Sequence, residues 1–151
     1  MASQDEEVLS SEDFFATANR HIRDAEKLAK VGGSPESIYG FSGLAVECAL
    51  KAVIMRRQGM NRWPDRDSKP ELYIHDLKRL LKYSGLKPEI QAEIDKGTDL
   101  AAAWLTVKDW DIEKRYTGKG MPKKTATEIL RCANHRDYGL VPWLSKKLMM
   151  P

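Results

Sequence analysis

The alternation of apolar and polar positions divides the chain into helical segments separated by short polar breaks. Phe14, Ala18, Ile22, Ala25 and then Leu28 or Ala29 recur at intervals of three and four, the stripe of a helix that buries one face. Ser10 or Ser11 can cap its start, with Asp13 three residues after Ser10 forming a capping box. Gly32-Gly33 stop it near Val31. In the second segment Ser34 is the cap, Pro35 occupies the first turn where a missing N–H costs nothing, and Gly59 closes the helix. Between Glu36 and Arg56 this segment carries only two charges, Glu47 and Lys51, four residues apart. A helix apolar nearly all round is normally buried on more than one face, so the pair is expected inside the fold or at a subunit interface. On a solvated face such a pair contributes about 0.2–0.5 kcal/mol, whereas removing one partner of a buried pair costs roughly 3–5 kcal/mol. Two readings stay open, a structural tie between helices and a polar group bound beside the pair. The short connection predicts that the first two helices form an antiparallel hairpin.

From Met60 to Tyr73 the composition turns to Arg, Asp, Pro, Ser and Lys around Trp63-Pro64, which reads as an exposed loop of a length that is often functional. A short helix is expected from His75 to Tyr83, with Leu77, Leu80 and Leu81 on one side and Gly85 as its stop. Pro88 starts a fourth, with Ile90, Ile94, Ala101, Trp104 and Leu105 facing inward and Gly97 loosening its middle. Thr125 with Glu128 makes a second capping box and opens the last helix, in which Gly139 and Pro142 predict a kink or break near 138–142. No stretch has the period-two alternation of a strand. The expected fold class is all-α, an up-and-down bundle of four to five helices. Residues 11–151 form a single domain in this reading, and residues 1–10 a flexible acidic N-terminus.

With 151 residues such a domain buries roughly 68–70 % of its unfolded surface and needs no disulfide or metal staple. Cys48 and Cys132 are far apart and lack zinc-site spacing, so no metal is expected and a reduced compartment is the default. The N-terminus is acidic and has no apolar core of the kind a secretory signal carries. Glu47 and Lys51 interrupt the apolar helix at its centre, so a cytoplasmic location without a membrane is expected. The net charge is only +3 but unevenly spread. Residues 1–13 hold five acids and no base, and from Lys114 onward nine bases face two acids, a local net charge of +7. That asymmetry fits a polyanion partner, and equally a terminal helix that is simply solubilised by its charges.

Several of these residues form an ordered set: Ala18, Asp24-Ala25 and Leu28; Ala45-Val46-Glu47-Cys48-Ala49-Leu50-Lys51-Ala52; His75-Asp76-Leu77; Arg115-Tyr116; and Ala133 to Trp143-Leu144. In that order, across most of the chain, they resemble a HEPN domain (higher eukaryotes and prokaryotes nucleotide-binding). The resemblance implies an up-and-down helical bundle, commonly dimeric, that serves in nucleotide or RNA biology, often beside a small nucleotidyltransferase. It therefore makes a homodimer through the small-residue helices, a nucleotide or RNA ligand and a nucleotidyltransferase partner the expected company of this chain, with no cofactor. Members that cleave RNA carry Arg, four to six residues, then His on the last helix. The nearest candidate here is Arg131-Cys-Ala-Asn-His135, with three residues between. One residue fewer rotates the His by about 100° around a helix, stacking the two side chains on one face at i and i+4 but out of the family's register.

As chemistry, Arg131 and His135 would make a metal-independent endoribonuclease of toxin type, with His as general base on a ribose hydroxyl and Arg stabilising the phosphorane. The other reading is one helix presenting a basic surface with a titratable His. His75 is expected to be partly buried and satisfied by a backbone carbonyl or by Glu47, and His21 to serve packing. Arg115-Tyr116 leads into a basic Gly-Lys-Gly loop that can hold a phosphate, with Tyr116 stacking on a base, or else is a connector whose Arg115 pairs with Glu47 or another acid. The leading candidate is a nucleotide- or phosphate-binding cluster of Glu47, Lys51, His75, Arg115 and Tyr116.

Overall fold

A computed structural model describes residues 9–116 and 119–149, with the side chains of Arg115 and Tyr116 outside that description. Its described residues are all-helical, with no strand, and comprise seven α-helices: α1 (Ser11–Lys30), α2 (Pro35–Arg57), α3 (Leu77–Ser84), α4 (Lys87–Lys96), α5 (Asp99–Val107), α6 (Lys123–Asn134) and α7 (Leu140–Leu148). Short 3-10 turns cover Pro70–Leu72 and Ile112–Tyr116.

The first two helices begin as their caps dictate. The Ser10 hydroxyl accepts from the Asp13 N–H at 3.1 Å while the Asp13 carboxylate accepts from the Ser10 N–H at 2.8 Å, which satisfies two otherwise orphaned donors. Leu9 is also tied into the fold, its carbonyl accepting from the N–H of Trp63 at 2.9 Å. Ser34 caps α2 and Pro35 stands in its first turn.

α2 is the central helix, packed against α1, α3, α6, α7 and the 112–116 turn. Sixteen of its residues are buried, and Val46, Leu50, Val53 and Ile54 are enclosed almost completely. Each such side chain contributes about 1.5–3 kcal/mol of transfer free energy, enough to anchor the bundle on this one element. By length and composition α2 could cross a membrane, but most of its apolar stretch is covered by its own chain. Its small residues have a definite use. At Gly43 the indole of Trp110 lies where a Cβ would fall, 1.9 Å from the ring, and the Trp110 Nε1–H donates to the Tyr39 carbonyl at 3.1 Å. At this position the space left by a small residue is filled from within the chain.

The expected count of four to five helices is exceeded because two segments break. The fourth ends at Gly97, in the left-handed region at φ +69°, and Thr98 starts α5 by accepting from the Ala101 N–H at 3.2 Å. The last ends at Asn134, and Gly139 is the N-terminal cap residue of α7. Pro142 is not a breaker, since it stands in the first turn of α7, where no intrahelical N–H partner is required. The capping box expected at Thr125 is also displaced. α6 begins at Lys123 with Pro122 as its cap residue, so Thr125 lies inside the helix. α3 begins two residues after His75, with Asp76 as its cap.

Candidate functional site

Four residues on an α-helix return a side chain to the same face, and α2 uses that spacing to hold Glu47 beside Lys51. Glu47 Oε2 accepts from Lys51 Nζ at 3.1 Å, and Glu47 Oε1 is 2.7 Å from His75 Nδ1. The side chains of Glu47 and Lys51 are 6 % and 11 % exposed, that of His75 55 %. A buried carboxylate thus links a buried ammonium to an imidazole at the surface.

Each member is positioned by a different part of the fold. The Asp76 carboxylate fixes the chain just after His75 by accepting from the N–H groups of Lys78 and Arg79 at 3.0 and 3.2 Å. Lys51 is covered by the loop between α2 and α3, its Nζ 5.5 Å from the centroid of the Trp63 ring, a cation–π distance. Trp63 is braced by Phe14, edge-on at 4.9 Å, and by Tyr73 at 6.1 Å. The loop therefore excludes water from the Glu47–Lys51 pair, which strengthens its electrostatics.

With Nδ1 engaged by Glu47, His75 keeps Nε2 for other partners. It borders an open cavity of about 310 Å³ whose walls include Asp76, Lys78, Lys108, Asp109 and Trp110. The acids there have local duties. Asp76 caps α3, and Asp111 accepts from the Glu113 N–H at 2.9 Å. Asp109 lies 2.8 Å from the Lys108 ammonium and 3.4 Å from that of Lys78, and the hydrogen bond from Lys108 holds its carboxyl below the usual carboxylate range. The cavity thus sets an oriented imidazole beside two ammonium groups and three carboxylates.

Of the residues singled out from sequence, Glu47, Lys51 and His75 come together. Arg115 and Tyr116 end the 3-10 turn that starts at the cavity with Ile112, and the expected Glu47–Arg115 pairing and Tyr116 stacking lie outside the described residues. His135 is the C-cap of α6: its N–H still bonds to the Arg131 carbonyl at 2.7 Å, which keeps the two residues in i and i+4 register, and its ψ of 129° turns the following chain out of the helix. The His135 ring stacks on Tyr138 at 3.8 Å, and its Nδ1 accepts from the Asp137 N–H at 3.2 Å. Arg131 lies 3.9 Å from Glu128 and borders a separate cavity of about 260 Å³ with Cys132 and Tyr138.

His21 stacks on Phe41 at 5.6 Å, and burial lowers its affinity for a proton, in keeping with packing. Burial, with the Glu47 charge beside it, pushes the Cys48 thiol up to about 12, so it stays protonated and unreactive near neutrality. Among the described residues no three His, Cys, Asp or Glu side chains group to hold a metal.

Sequence reasoning missed Trp63 as the cover of Lys51, and Lys78 and Lys108 at the cavity. The Lys78 signal was present, since Leu77, Leu80 and Leu81 turn Lys78 outward. For Trp63 and Lys108 the contacts are long-range, and no periodicity encodes them. No protein-family model matches the chain, and no curated protein or solved structure matches it either.

Proposed function

We propose that this chain is a HEPN-like module that binds a nucleotide or RNA, without robust catalysis of its own, through the Glu47–Lys51–His75 centre and the cavity beside it. The observation that supports the reading is convergence. Glu47 and His75, 28 positions apart, both belong to the residues that carry the resemblance, and they meet at 2.7 Å with Lys51 on the other carboxylate oxygen. On this reading Glu47 orients the imidazole toward the ligand, and Lys108 and Lys78 meet its phosphate at the rim. A small nucleotidyltransferase and a second copy of the chain are the protein partners that accompany the reading.

The test is titration of a fluorescent single-stranded RNA and a fluorescent ATP analogue with the wild type and with His75→Ala, in EDTA, each RNA sample then being run on a denaturing gel. Saturable binding, weakened at least tenfold by His75→Ala in a variant with unchanged circular dichroism, is expected, with the RNA intact. Absence of saturable binding to both ligands by folded wild type overturns the reading. Cleavage by the wild type that His135→Ala abolishes replaces it with the endoribonuclease.

A further inference from the structure

α3 is eight residues long, about 12 Å along its axis. Leu77, Leu80, Leu81 and Ser84 face the core, and Lys78, Arg79 and Lys82 are exposed on the other side, with no acid among the eight residues. Helix physics does not select that pattern. Lys78 and Lys82 stand four apart, a like-charge spacing that destabilises a helix by a few tenths of a kcal/mol. Only Lys82, in the last turn, is favoured by the helix dipole, and Lys78 in the first turn opposes it.

The helix also joins two cavities. At its start is the His75 cavity, with Lys78 and Lys108 on the rim. At its end Tyr83, Ser84 and Gly85 form one wall of a larger cavity of about 780 Å³, which Arg56, Arg57 and Gln58 from the end of α2 and Lys147 from α7 complete. Gln58 Nε2 donates to the Tyr83 carbonyl at 3.2 Å, fixing the ends of α2 and α3 together, and within α3 Arg79 donates to the Tyr83 hydroxyl at 3.2 Å. Glu89 is the acid that answers this cavity, 3.5 Å from Arg57 and 2.5 Å from Lys147. Two cationic side chains thus share one carboxylate, and Arg56 borders this cavity and two smaller ones beside α1.

We infer that this face is a track for the phosphate backbone of single-stranded RNA, running from the His75 cavity along Lys78, Arg79 and Lys82 to the Arg56–Arg57–Lys147 cavity. The inference rests on the reading above and adds where the strand lies. A line of charge on one short helix matches a single backbone, and a cavity at each end admits an unstacked base, with the half-buried Tyr83 ring at the second. A duplex keeps its bases stacked inside and has no use for the cavities. An acidic peptide would meet the charges but leave the cavities empty.

The experiment is fluorescence anisotropy with labelled oligouridine at increasing KCl, comparing the wild type with the exposed pair Arg79→Ala/Lys82→Ala and with Lys124→Ala/Arg131→Ala on α6. The α3 variant is expected to bind at least tenfold more weakly. Its slope of log K against log [KCl] should fall by about 1.4, two phosphate contacts at about 0.7 each, while the α6 variant keeps both values. An unchanged slope in the α3 variant, or a loss confined to the α6 variant, overturns the track while leaving RNA binding in place. Competition by a hairpin duplex or by polyglutamate as effective as that by unlabelled oligouridine overturns the assignment to single strands. Failure of oligouridine to bind folded wild type removes the track, and the ATP analogue then decides whether the nucleotide reading survives.

Discussion

Replacing Glu47 with Ala takes the carboxylate from Lys51, whose side chain is 11 % exposed in the folded protein, and leaves the ammonium beside the Trp63 face. Stranding one charge of a buried pair costs roughly 3–5 kcal/mol, a large part of the 5–15 kcal/mol typical of a whole domain. His75 adds little to that cost, because its half-exposed ring regains water when the carboxylate is gone. The double variant Glu47→Leu/Lys51→Met removes both charges and keeps roughly the same volume. Such a replacement is often neutral or stabilising, so the double should recover most of what the single loses. The assay is urea unfolding followed by circular dichroism, with an unchanged m-value required for the comparison. A Glu47→Ala cost below about 1 kcal/mol, the worth of a surface pair, would refute the burial argument. A double variant as unstable as the single would refute the stranded-charge explanation. On the proposed reading, a double variant that folds well should still lose nucleotide or RNA binding, since His75 no longer has the carboxylate that orients it.

Gly43→Ala should destabilise by about 1–3 kcal/mol or more, since the new methyl falls 1.9 Å from the Trp110 indole and overpacking of this kind forces backbone or rotamer shifts. A thermal melt reads it, and an unchanged melting temperature would mean that Trp110 does not occupy that space. Stability should also fall at alkaline pH. The Cys48 thiol is raised from about 9 to about 12 by burial, so above pH 9 the unfolded chain releases a proton that the folded chain keeps, and the unfolding free energy declines until the folded thiol titrates. The decline reaches roughly 4 kcal/mol by pH 12. Cys48→Ala should flatten the curve between pH 9 and 12 relative to wild type, and identical slopes would show the thiol to be solvated.

What could be read from sequence follows from how local the cause is. Ser10 with Asp13, and Ser34 with Pro35, act within one turn, so the start of α2 was legible to the residue and that of α1 to one of two adjacent serines, of which Ser10 is the cap. The same kind of reasoning misplaced α6, because Thr125–Glu128 fits the capping pattern but Pro122, three residues earlier, already begins the helix. Pro142 and Gly97 show the converse. A proline is harmless in a first turn, and a glycine ends a helix when the next residue can cap a new one, as Thr98 does through the Ala101 N–H. Both outcomes depend on position within the turn, which composition does not give.

The site divides along the same line. Two charges alone on an apolar helix had to be buried and paired, which made Glu47 and Lys51 legible, and the 2.7 Å contact to His75 was one of two expectations for that imidazole. The covering side chains were not legible, because Trp63, Lys108 and Trp110 reach the site or its helix from other parts of the chain. Gly43 is the instructive case. A small residue on a buried helix states that something large comes close, but not whether it belongs to the same chain or to a partner. Trp110 takes that space and bonds to Tyr39 beside it. The core helix that fixes Glu47 is closed at this position by its own chain, and the carboxylate that orients His75 comes from that chain as well.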